Sequence, residues 1–125
     1  MAPLPKKVLV IDDDKAFCNL VASAFKTQGF EVSTALDGET GLKLFKENPV
    51  PVLITDVAMP GLSGFQVAEA IRKQETPDQH TIIVIMTAYA RSFDVSKQFD
   101  ADIDSYLSKP ILPEDIVAHI LTLIA

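Results

Sequence analysis

Four branched apolar residues in a row, Val8-Leu9-Val10-Ile11, run without a polar interruption into three carboxylates, Asp12, Asp13 and Asp14. A strand with one wet face alternates apolar and polar side chains. An unbroken apolar run therefore belongs to a strand covered on both faces, as in a parallel sheet with helices on each side. The chain repeats the pattern: Val52 to Thr55 ends at Asp56, and Ile82 to Met86 ends at Thr87. Strands are expected at Lys7 to Ile11, Glu31 to Ala35, Val52 to Thr55, Ile82 to Thr87 and Tyr106 to Leu107.

Helical spacing fills the intervals. Phe17, Leu20, Val21, Ala24 and Phe25 recur three and four apart as one apolar stripe, and Gly29 stands where a left-handed cap would close the helix. Leu42 with Phe45, then Phe65 with Ala68 and Ile71, mark two more helices. A sparser pattern, Phe93, Val95 and Phe99, marks another between Arg91 and Phe99. The last helix, carrying Ile116, Val117, Ile120, Leu121 and Ile124, starts with Pro113-Glu114-Asp115, acidic where the helix dipole is positive. Gly41 falls inside the second helix, where it costs about 1 kcal/mol relative to alanine, so a loose or distorted helix is expected there. Five strands alternating with five helices make an α/β, doubly wound domain. The 125 residues suit a single domain, 1–125, with its core at about 7–124.

Composition narrows the function. Seventeen acidic against eleven basic residues give a net charge of -6, with no basic block beyond Lys6-Lys7, which argues against direct nucleic-acid binding. No apolar run approaches a membrane span, and Met1 to Lys7 lacks the apolar core of a signal peptide. The single cysteine, Cys18, has no internal disulfide partner and is read as lying on a helix surface or core edge. A cytoplasmic protein is the expectation.

In an open parallel sheet, ligands bind beyond the carboxyl ends of the strands. Those ends carry Asp12-Asp13, Asp56, Thr87 and Ser108-Lys109-Pro110. Hard oxygen donors with no nearby Cys or His suit Mg²⁺, which also relieves the repulsion among adjacent carboxylates. A metal and an ammonium around a solitary carboxylate form a phosphoryl-transfer site, with Asp56 as the candidate nucleophile. Met59-Pro60-Gly61 would open a loop that leaves Asp56 accessible. Lys109 would pair with the phosphoryl oxygens, and Thr87 would give them a hydroxyl hydrogen bond. Asp14 is expected to cap the first helix.

The arrangement resembles the receiver domain of two-component response regulators. The matching residues are Asp12-Asp13, Asp56-Val57-Ala58-Met59-Pro60 with Gly64, Met86-Thr87-Ala88, and Tyr106-Leu107-Ser108-Lys109-Pro110, in the family's order and spacing from Lys7 to Ala125. The resemblance implies a flavodoxin-like sheet of order 2-1-3-4-5, with Asp56 as phospho-acceptor and Asp13 as a direct Mg²⁺ ligand. It further implies that Asp12 acts on the metal mainly through water and that the backbone carbonyl of Ala58 is another ligand. Thr87 and Tyr106 would be the switch pair, Lys109 the lysine of the site, and the Lys109-Pro110 bond often cis.

The partners so implied are a histidine kinase or phosphotransfer protein as phosphodonor, a downstream protein target or linked output domain, and a phosphorylation-dependent dimer. Such a chain catalyses only its own phosphorylation and dephosphorylation. Two alternatives stand beside it: a pseudo-receiver that binds partners without phosphorylation, and a Mg²⁺-dependent phosphatase using Asp12 and Asp14. The turn before the last strand departs from the family's Gly-Ala with Asp102-Ile103, so the face beside it is expected to be shaped unusually. His80 and His119 have no ligand-like companions and are expected to face solvent without a function.

Overall fold

A computed structural model describes residues 5–88 and 102–125. Among the described residues nine elements follow in chain order: β1 (Lys7–Ile11), α1 (Lys15–Thr27), β2 (Glu31–Ala35), α2 (Gly38–Glu47), β3 (Val52–Asp56), α3 (Gly64–Gln74), β4 (Ile82–Thr87), β5 (Ser105–Ser108) and α4 (Pro113–Ile124). The helix expected between Arg91 and Phe99 lies outside the described residues. All strands are parallel, in the order β2-β1-β3-β4-β5. This is the doubly wound architecture expected from the unbroken apolar runs.

Alternation along each strand divides the interior into two cores. Val8, Val10, Val52, Ile54, Val84 and Met86 point to one face, where Cys18, Val21 and Phe25 of α1 and Ile116, Val117 and Ile120 of α4 cover them. Leu9, Ile11, Leu53, Ile83 and Ile85 point to the other, beneath Phe45 of α2 and Phe65, Ala68 and Ile71 of α3. Neighbouring residues thus serve opposite cores, as a period of two requires.

The helices begin and end on local chemistry. Asp14 accepts a hydrogen bond from the Phe17 amide and caps α1, while Asp37 caps α2 through the Thr40 amide. Ser63 and Gln66 form a reciprocal capping box on α3. Gly29 follows α1 at φ 85, the left-handed region expected of it.

Two expectations need correction. Of the expected α1 stripe, Val21 and Phe25 are buried and Phe17 and Ala24 pack against the core, but Leu20 is 60% exposed while Cys18 and Ala22 are buried. Cys18, 1% exposed, lies in the core and not at its edge. Gly41 does not loosen α2, which is continuous from Gly38 to Glu47. A Cβ at Gly41 would lie 2.2 Å from Ile11 Cδ1, so the glycine lets α2 seat closely on β1.

Candidate functional site

The carboxyl ends of β1, β3, β4 and β5 meet on one rim. β1 and β3 pair Ile11 with Thr55, β3 and β4 pair Asp56 with Met86, and β4 and β5 pair Thr87 with Ser108. Register alone therefore brings Asp12, Asp56, Thr87 and Lys109 to neighbouring positions. Backbone bonds continue the ladder past the strands: Asp12 N donates to Ala35 O at 3.1 Å, Val57 N to Met86 O at 3.2 Å, and Lys109 N to Thr87 O at 3.0 Å. The Lys109-Pro110 peptide bond is cis.

Lys109 links the site. Its Nζ donates to Asp12 Oδ2 at 2.7 Å and to Asp56 Oδ2 at 3.2 Å. Asp12 is buried, with 1% of its side chain exposed, against 13% for Asp56 and 26% for Lys109. Asp56 is thus half-buried, less open than its Met-Pro-Gly loop suggested. Asp56 Oδ1 also accepts from the Val57 amide at 2.8 Å, and Asp12 Oδ1 accepts from the Asp14 amide at 2.9 Å. Each carboxylate is therefore held by two contacts, which fixes its orientation.

Burial pushes the Asp56 carboxyl above its ordinary value; Lys109 opposes this, and the charge of Asp12 reinforces it. Burial alone would lower the Lys109 ammonium, but its hydrogen bond to Asp12 and the charges of Asp56 and Asp12 outweigh that and raise it. The lysine is thus held charged. Cys18 lies just beneath, its thiol donating to Asp12 O at 3.3 Å and pushed up to about 11 by burial and by the charge of Asp12. A thiol so protonated is structural rather than nucleophilic.

Carboxylate oxygens of Asp12, Asp13 and Asp56 lie within 4.8 Å of one another, Asp13 being the exposed member. A small hard cation fits these donors: they are oxygens only, and the exposed side leaves room for retained water. Thr87, 2% exposed, ends β4 beside them. Tyr106 is half-buried against the core on the α2 and α3 face. Ala58 is exposed on the loop after Asp56.

Gly64, which starts α3, sits under this loop. A Cβ there would lie 2.2 Å from Asp56 O and 3.0 Å from Asp56 C, contacts that backbone cannot relieve cheaply. Gly64→Ala should fold with Asp56 displaced, weakening Mg²⁺ binding by about tenfold or more in calorimetry; unchanged affinity would show that the backbone yields.

Sequence reasoning missed a second polar cluster at the opposite ends of the strands. Arg72 of α3 donates to Asp102 O at 2.8 Å, Thr81 O at 2.7 Å and Asp104 Oδ2 at 2.8 Å, and also pairs with Glu75. Glu75 Oε1 accepts from the Thr81 amide and Asp104 Oδ2 from the Ile83 amide, each at 2.7 Å. Asp102, in the turn where Gly-Ala was expected, is thus tied to α3. His80 bonds Asp104 Oδ1 at 3.0 Å, and His119 is half-buried and bonds Ser105 Oγ at 2.7 Å. The expectation that both histidines merely face solvent is therefore wrong for His119, which joins α4 to β5.

The response regulator receiver domain matches residues 8–121. The alkaline phosphatase synthesis transcriptional regulatory protein PhoP of Bacillus subtilis is 30% identical over 92% of this chain and 47% of its own length. The transcriptional regulatory protein AfsQ1 of Streptomyces coelicolor is 34% identical over 83% of this chain and 44% of its own. The chain thus spans about half the length of the curated relatives it matches. Among solved structures, chemotaxis protein CheY4 of Vibrio cholerae superimposes with a TM-score of 0.82 at 30% identity, covering 97% of this chain and 99% of that one. The response regulator TrrA of Thermotoga maritima, solved in complex with Mg²⁺-BeF, gives a TM-score of 0.77 at 33% identity, covering 94% and 98%. Strand order, the lysine-bridged carboxylates and a family match over nearly the whole chain agree, and the chain belongs to the response regulator receiver domains.

Proposed function

We propose that Asp56 accepts a phosphoryl group from a histidine kinase or phosphotransfer protein, or from a small phosphodonor, and that the modification switches a protein-binding surface around Thr87 and Tyr106. The observation that carries this reading is the Lys109 ammonium bridging Asp12 and Asp56 beside a cluster of three oxygen donors. Asp13 and Asp56 would hold Mg²⁺ directly with the Ala58 carbonyl, and Asp12 through water. Bound there, the ion would supply neutralisation of charge on the transferring phosphoryl oxygens.

The chain's own residues do the rest. An Asp56 carboxylate oxygen forms a bond to phosphorus in line with the bond that breaks, whose electron pair leaves with the donor imidazole or carboxylate. Lys109, held charged between its carboxylates, turns its donors to the equatorial oxygens as Asp56 loses its charge. Thr87 then bonds a phosphoryl oxygen, and the space it vacates admits the Tyr106 ring. Up to two added negative charges bias a pre-existing equilibrium toward the partner-binding state. The target is a separate protein or an output domain on the same chain, and the working compartment is the cytoplasm. Among the described residues no helix is long and apolar enough to cross a membrane.

The geometry disfavours the phosphatase. Asp14 is occupied as the cap of α1, and Asp12 is buried against Lys109 and not presented to a substrate. The test is intact-protein mass spectrometry after incubation with acetyl phosphate. Wild type should gain one phosphoryl group only with Mg²⁺, and Asp56→Asn none. A gain surviving in Asp56→Asn would place the nucleophile elsewhere, and no gain in wild type with any donor would leave the pseudo-receiver.

A further inference from the structure

Lys109 has a third partner that the site's chemistry does not require. The Phe17 ring, on the first turn of α1, lies under Nζ with its centroid 5.0 Å away, and it is half-buried against the α1 and α4 core. We infer that Phe17 is a positioning residue, whose ring holds the Lys109 ammonium over the carboxylates and screens it from water. As a role in the reaction, this rests on the phospho-acceptor reading above.

Three features of the geometry converge on it. An ammonium has three donors; the two carboxylates engage it at 2.7 and 3.2 Å, and the ring takes up a further approach. A ring attracts the cation through its quadrupole without accepting its protons, so it steadies Lys109 without competing with a phosphoryl group for hydrogen bonds. The same turn of α1 is also fastened to the site, Asp14 Oδ1 accepting from the Phe17 amide at 3.1 Å and Cys18 donating to Asp12 O at 3.3 Å. The ring is thus presented from a rigid support. Excluding water on one side strengthens the remaining electrostatic contacts of the ammonium.

The test uses the full chain and three variants: Phe17→Leu, Phe17→Met as a second non-aromatic residue should Leu misfold, and Phe17→Tyr, which keeps the ring. Two readouts are combined. Nitrogen-15 NMR of the Lys109 ammonium should show exchange with water about tenfold faster in Leu or Met than in wild type, with Tyr within twofold. Phosphorylation by acetyl phosphate should slow by a similar factor in Leu or Met and recover in Tyr, while calorimetric Mg²⁺ affinity stays within twofold. Equal exchange in wild type and the non-aromatic variants would overturn the inference, as would slowing shared by all three variants, which would mark packing alone. Wild type that takes no phosphoryl group refutes the phospho-acceptor reading instead, and the exchange measurement still decides whether Phe17 holds the ammonium.

Discussion

Replacing Lys109 with Ala should slow phosphorylation of Asp56 by about a hundredfold or more and, in metal-free buffer, lower the unfolding free energy by about 3 kcal/mol. The two losses have one origin. Asp12 has 1% of its side chain exposed, and its Oδ2 is held by the lysine at 2.7 Å. Removing the ammonium strands that carboxylate beside Asp56 and Asp13 with no cation among them, the situation in which breaking a buried pair is most costly. Asp56, whose carboxyl burial already raises, would be driven further toward its neutral form, and a neutral carboxyl is a poor nucleophile. Mg²⁺ should restore part of the stability, because any cation relieves the repulsion. It should not restore the rate, because the donors that meet the phosphoryl oxygens would be gone. Urea unfolding in EDTA and in Mg²⁺, run beside a phosphorylation time course, separates the two. A variant that labels at the wild-type rate, or is equally stable in EDTA, would contradict the role.

Arg72→Ala should cost about 2–3 kcal/mol of stability and leave phosphorylation chemistry almost untouched. Only 13% of the arginine side chain is exposed, and it satisfies the carbonyls of Asp102 and Thr81 as well as the carboxylates of Glu75 and Asp104. Alanine would remove one donor from each of the four; the part-buried Thr81 carbonyl and Glu75 carboxylate lose most, while the Asp102 and Asp104 oxygens lie nearer solvent. The effect carries a pH signature. Burial raises the Asp104 carboxyl, but the Ile83 amide, His80 and Arg72 outweigh it and hold it below the ordinary carboxylate value. A depressed carboxyl contributes stability that is complete above its unfolded value, near 4, and is lost as pH falls through its folded value. The gap between wild type and Arg72→Ala should therefore be widest at neutral pH and narrow below about pH 4. A gap independent of pH would mean that packing by the arginine stem, and not the ion pair, accounts for the cost.

Much of the molecule could be read from the chain because its strands are unbroken apolar runs. Those runs located β1, β3 and β4 and, by their ends, Asp12, Asp56 and Thr87; the topological rule for parallel sheets then supplied the rim on which they meet. What escaped depends on contacts between distant positions. Arg72 bonds residues at 81, 102 and 104, and Phe17 meets Lys109 from the other end of the chain. No local pattern marks either pairing. On α1 only Leu20 was misplaced, for a different reason: periodicity ranks side chains by hydrophobicity, whereas here the smaller Cys18 and Ala22 are buried and Leu20 faces out. Gly41 shows the same limit, since its cost within the helix is local but its benefit, clearance for Ile11, is not.

The Arg72 cluster and the Lys109 cluster stand at opposite ends of the same two strands, joined by the six residues of β4 and the four of β5. Substitutions at the two ends should therefore add independently, so that the scaffold can be reinforced at the far end without disturbing the carboxylates at the rim.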